Sequence, residues 1–85
     1  MNICFITGKI IEDVKFDFML NSIHNSIVQF NIKDKRKNNV KIVGYDEIAD
    51  YCYKSLKKND IVIIEGKIGN LKNSMVIMIT NCIKL

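Results

Sequence analysis

A single all-β barrel carrying one helix between its third and fourth strands is the fold this sequence predicts, and three observations predict it. Short segments rich in β-branched and aromatic residues alternate apolar with polar at a period of two. Glycines stand in the middle of two such segments, at Gly8 and Gly66, where a strand must bend or accept a close neighbour. The period changes to helical spacing once, between Asp46 and Lys58.

The first strand is expected over 2–11, with Cys4, Ile6, Gly8 and Ile10 on one side and Phe5, Thr7 and Lys9 on the other. Residues 12–21 continue it, Phe16 and Phe18 alternating with Lys15 and Asp17, into a polar turn. In the second strand, Ile27 to Lys33, the core residues Val28, Phe30 and Ile32 alternate with Gln29, Asn31 and Lys33. The charged turn DKRKNN follows, ending in Asn-Asn, which tolerates a left-handed backbone. The third strand, Val40 to Tyr45, places Lys41, Val43 and Tyr45 on one face. Ile48, Ala49, Cys52 and Leu56 then fall on one helical stripe, with Asp46 and Glu47 at its start and Lys54, Lys57 and Lys58 at its end. Asn59 and Asp60 stop the helix, Ile61 to Ile68 forms the fourth strand, and the turn GNLKNS leads to a fifth over 75–85. Three strands, a helix and two strands describe a five-stranded Greek-key barrel of the OB-fold type, whose helix plugs one end.

Eighty-five residues hold one domain, spanning 1–85, and 48% hydrophobic against 26% charged residues is enough to fold it. A barrel this small is expected to bury further surface against copies of itself, as a homodimer or homotetramer. A net charge of +4 favours polyanions. Cys4, Cys52 and Cys82 are odd in number, widely spaced and without a CxxC pair, and His24 is the single histidine, so no metal site is expected. The three thiols read as buried or half-buried and reduced, in a cytoplasmic protein. No uncharged apolar run is long enough to span a bilayer and the N-terminus lacks a secretory pattern, so no membrane partner is expected. No catalytic triad, paired acid and base or phosphate loop is present; the chain reads as a non-enzyme without cofactors, and Glu65 as a structural carboxylate, buried beside Gly66 or hydrogen-bonded in the barrel.

The opening Asn2 and CFITGKIIEDV resemble the first strand of the bacterial single-stranded DNA-binding (SSB) protein family, with Gly8, Lys9, Ile10 and Asp13 in place. The segment VKIVGYDEIADYCYKSLKKNDIVIIEGKI resembles that family's third strand, helix and fourth strand, matching at Tyr45, Ala49, Leu56, Lys57, Lys58, Val62, Glu65, Gly66, Lys67 and Ile68. Primosomal replication-restart proteins share these motifs. The resemblance implies an OB-fold that binds single-stranded DNA, with duties in DNA replication, repair and recombination and with replication proteins as partners. Departures are specific. There is no tryptophan, and Asn39 and Asn73 stand near positions where family members stack a base on one. Val14 replaces a usual proline, and the family's acidic tail is not present in these residues.

Binding an unpaired strand without sequence preference needs cations along a groove and flat rings for bases. Tyr45 beside Lys41 is the expected stacking residue, with Phe16 and Phe18 as further rings near the first loop. Lys33, Lys35, Arg36 and Lys37 would grip phosphates at the hairpin tip, with Lys9, Lys41, Lys67 and Lys72 extending the track. A barrel that binds DNA weakly and chiefly docks a replication partner, or one that binds RNA, would use the same surface.

Overall fold

The computed structural model describes residues 2–85 and lays down seven elements: β1 (Cys4–Ile10), β2 (Lys15–Phe18), β3 (Ser26–Lys33), β4 (Asn39–Tyr45), α1 (Glu47–Ser55), β5 (Ile61–Leu71) and β6 (Ser74–Lys84). The sheet runs β1-β5-β6-β4-β3-β2, and β1 also pairs with β3 at Lys9↔Lys33 and Ile10↔Ile32. Hydrogen-bonded pairing therefore passes in a closed circuit through β1, β5, β6, β4 and β3, with β2 outside it. The β4–β6 contact is parallel and short, at Ile42↔Ile77 and Val43↔Met78.

Two expectations change. Six strands replace the predicted five, because Lys15–Phe18 is no continuation of β1 but pairs on its own with β3, from Lys15↔Gln29 to Phe18↔Ser26. The helix consequently follows the fourth strand and precedes the fifth, although its place between Tyr45 and Ile61 is the one expected. It is also shorter than the apolar spacing suggested. Leu56 leaves the helix in an extended conformation to enter the core, and the Asp60 carboxylate accepts the Lys57 N–H at 2.8 Å. Lys57 and Lys58 therefore sit in the following turn, and only Lys54 occupies the last helical turn.

Alternation governs which side each strand buries. In β3 the side chains of Val28, Phe30 and Ile32 are fully or almost fully buried, while Gln29 and Asn31 between them are half-buried on the outside. These three join Ile10, Ile42, Val62, Ile64, Ile77, Ile79 and Cys82 in the core, which α1 covers with Ala49 and Cys52 and the residue after it with Leu56. Each fully buried aliphatic or aromatic side chain contributes on the order of 1.5–3 kcal/mol, so this cluster holds the sheet closed. Burial also pushes the Cys52 thiol up to about 12 and raises that of Cys82, which removes both as thiolate nucleophiles at neutral pH.

The two glycines that suggested bent strands mark close backbone approaches. A side chain at Gly8 would stand 2.8 Å from the Lys33 carbonyl, where β1 crosses to β3. At Gly66 it would collide with the Met78 carbonyl, where the β5–β6 register shifts between Glu65 and Gly66.

Candidate nucleic-acid interface

Because Ile42 and Gly44 face the core, Lys41, Val43 and Tyr45 lie on the opposite side of β4, as expected, with Lys41 and Tyr45 half-buried and Val43 fully buried between them. Register extends that face across the sheet: one row runs Lys15, Gln29, Val43, Met78 and Lys67 through β2, β3, β4, β6 and β5. The row beside it holds Asp17, Ile27 and Tyr45, and Lys41 lies opposite Asn31. Because β3, β4, β6 and β5 belong to the closed circuit, the row curves round the outside of the sheet as a platform with an exposed lysine at each end, Lys15 and Lys67. Two carboxylates temper its charge: Asp17, and Glu12, which accepts the Asn31 amide at 2.6 Å.

The second cationic group lies at the end of β3. Lys9 on β1 pairs with Lys33, and both border an open hollow of about 230 Å³ with Lys35, Thr7 and Ile61. A neighbouring trough of about 340 Å³ is lined by Phe5, Thr7, Asp34, Lys35 and Arg36. Asp34 builds the turn that carries these cations. Its carboxylate accepts the Asn38 N–H at 2.8 Å, its carbonyl accepts the Lys37 N–H at 3.0 Å, and the Asn38 bond draws its carboxyl below the usual range. The left-handed residue of this turn is Lys37, with φ 65°, in place of the expected asparagines. Lys9, Lys33, Lys35 and Arg36 are thus brought together. Lys33 joins them to the platform, being continuous with Asn31 and Gln29 along the outer face of β3. Lys72 is exposed at the β5–β6 turn with φ 50°.

The aromatic residues divide. Phe16 and Phe18 sit opposite Val28 and Ser26, on the inner side of the β2–β3 ribbon, and so face away from Tyr45 and Lys41. Phe16 stacks on Tyr53 of α1 with centroids 4.8 Å apart, whereas Phe18 touches Phe16 edge-on and is 80% exposed. Tyr45 is half-buried, and one face of its ring is covered by His24, parallel within 16° at 4.2 Å. Glu65 is not buried in the core: it is half-buried on the outer face of β5, opposite Phe5 and Asn81. Residues beyond the sequence reading join the surface, namely His24, Lys15, Gln29 and Phe5. The last three were legible as outward positions in alternating strands, while His24 arrives from a loop whose path no periodicity encodes.

The loop between β2 and β3 is tied to Asp46, whose carboxylate bonds the His24 Nδ1 at 2.7 Å and accepts the Asn25 N–H at 2.7 Å. These bonds, His24 foremost, hold the Asp46 carboxyl below its ordinary 3.8. A lowered folded value means the tie is complete above 3.8 and is lost as pH falls through the lower, folded value. The Asp46 side-chain carboxyl carbon should accordingly titrate below 3.8 in an NMR pH series.

Among the described residues no cluster of three or more metal-ligating side chains occurs, and no helix is long and apolar enough to cross a membrane. No protein-family model and no curated protein matches the chain in sequence. Solved structures match in fold. The SSB domain of a protein from Synechococcus sp. superposes with a TM-score of 0.85 at 17% identity, covering 96% of this chain and 93% of that one. The small single-stranded DNA-binding protein of Streptomyces coelicolor gives 0.75 at 14%, covering 96% and 90%. The single-stranded DNA-binding protein of Thermus aquaticus gives 0.88 at 14% over the whole of this chain, which spans 40% of its length. The fold is therefore the SSB-type OB-fold, and the identities leave the likeness at the level of fold.

Proposed function

We propose that the protein binds single-stranded DNA with little sequence preference, through the outer face of β3 and β4 and the basic turn at their end. The observation that carries this reading is the continuity of Lys9, Lys33, Lys35 and Arg36 with the row from Lys15 to Lys67, since a polyanion needs cations along a path rather than in a cluster. The solved proteins with this fold are named for binding single-stranded DNA, which supports the same choice. The protein acts as a holder and not a catalyst, in the reducing cytoplasm that suits three unpaired thiols, and serves DNA replication, repair or recombination.

It works as a homo-oligomer. Along Cys4–Gly8, β1 is paired with β5 on one side only, and its other edge borders an apolar groove of about 270 Å³ lined by Cys4, Ile6, Val40, Ile68 and Ile77. A free strand edge beside apolar surface favours pairing with another chain. The same groove favours a second reading, in which the domain binds DNA weakly and docks a replication protein.

Titration of labelled oligothymidine over a salt series tests the choice. Contact with about five phosphates gives a log–log slope near −3.5, with micromolar or tighter binding at low salt. A flat response, or no binding below tens of micromolar, overturns the first reading in favour of the second. Competition with an oligouridine of equal length separates DNA from RNA as the preferred strand.

A further inference from the structure

We infer that Tyr45 and Asp46 form a nucleobase subsite which the chain's own His24 fills in the free protein, and that the base it takes carries an exocyclic amino group, as cytosine and adenine do. This rests on the reading of the outer β4 face as a nucleic-acid surface.

The imidazole of His24 lies on Tyr45 as a base would, with ring centroids 4.2 Å apart and planes 16° from parallel. Its Nδ1 is 2.7 Å from the Asp46 Oδ2, and an ionised carboxylate there makes Nδ1–H the donor. His24 thus presents what a base presents: a flat ring with an in-plane N–H aimed at a carboxylate.

Asp46 is shaped for this contact at the expense of a simpler one. It stands at the N-cap of α1, the position where aspartate is among the most favoured residues, yet it makes no side-chain capping bond. Its backbone instead takes φ 59° and ψ −121°, a region non-glycine residues seldom adopt, which turns the carboxylate toward the β2–β3 loop. A local rule broken in this way marks a position held for something other than helix stability.

The second carboxylate oxygen, Oδ1, is occupied by the Asn25 N–H, so one oxygen is open to a ligand once His24 moves away. That arrangement suits a single amino group. Thymine offers instead an N–H flanked by two carbonyl oxygens, which a carboxylate repels. Displacing His24 breaks few contacts. Beyond the ties to Asp46, the loop is held by Met19 N–H to the Asn25 carbonyl at 2.8 Å and His24 N–H to the Ser22 hydroxyl at 3.2 Å. Its apolar tip residues Leu20 and Ile23 are 87% and 95% exposed, so they anchor nothing.

Fluorescence anisotropy with labelled oligocytidine and oligothymidine deoxyribonucleotides tests the subsite. His24→Ala should tighten oligocytidine binding on the order of tenfold and oligothymidine binding less, because the internal competitor is gone. Adding Asp46→Asn should return the ratio of the two affinities to its wild-type value, and adding Tyr45→Ala should remove the gain for both. In the unmodified protein, saturating oligocytidine should move the His24 ring NMR signals as the imidazole leaves Tyr45. Wild-type binding with His24→Ala neutral or weaker, with equal gains on both oligomers, or with unmoved His24 signals, overturns the subsite and leaves the proposed function standing. Absence of binding by every form overturns both.

Discussion

Gly66→Ala is expected to destabilise the protein by about 3 kcal/mol, lowering its midpoint by roughly 15 °C. The added methyl would point at the Met78 carbonyl, a backbone group on the adjacent strand that cannot rotate away. Relief requires β5 and β6 to separate where their register shifts, next to Ile64, Ile77 and Ile79 of the core. Gly69→Ala, three residues further along the same strand, is the matched comparison. There the methyl would meet only the Met78 side chain, at 2.9 Å from Cγ, and a flexible thioether can yield. That variant should stay within about 0.5 kcal/mol of the parent. Thermal unfolding of all three at one protein concentration decides it. Equal losses would mean that strand propensity, and not the carbonyl contact, sets the value of Gly66.

The same glycine illustrates what the sequence makes legible. FITGKI and IIEGKI read as two strands facing one geometric problem, and the structure places β1 and β5 as antiparallel neighbours, with Cys4 opposite Gly66 and Gly8 opposite Val62. Alternation was enough to sort Val28, Phe30 and Ile32 from Gln29, Asn31 and Lys33, because a strand with one buried face has a single period. It failed at Lys15–Phe18, where four residues are too few to tell a separate strand from the extension of the one before. The helix end failed for a related reason: Leu56 lies on the helical stripe, yet it reaches the core from an extended backbone.

Long-range placement was the least legible. Composition marks Lys35 and Arg36 as a basic tip, but only the β1–β3 pairing brings Lys9 beside them. Tyr45 could be assigned to the outer face of β4 from its neighbours, whereas the ring that covers it comes from His24, 21 positions away in sequence and held by the residue next to Tyr45. Phe16 and Phe18 read as rings near a first loop, but the register against β3 sends both to the helix side.

Reversal of charge at Lys33, Lys35 and Arg36 to glutamate is expected to weaken oligothymidine binding by on the order of a hundredfold at low salt. Each change removes two charges, so three take the net charge from +4 to −2. The loss has a local and a global component, and a second triple variant separates them. Lys54, Lys57 and Lys58 are also exposed but belong to the last turn of α1 and the turn after it, and line neither the hollow nor the trough at the basic turn. Reversing those three alters the net charge identically while leaving the turn intact. If the strand runs past Lys33, Lys35 and Arg36, the first variant loses about 2 from the magnitude of the log–log salt slope, at about 0.7 per phosphate released. The second should lose far less affinity and keep most of the slope. Tyr45→Ala supplies the remaining contrast, since a stacking contact worth about 1–3 kcal/mol carries no counterion release and its removal should shift affinity by one factor at every salt concentration. Equal losses from the two triple variants would mean that the protein attracts nucleic acid by its overall field alone, and that the track from Lys9 to Lys67 is not the path of the strand.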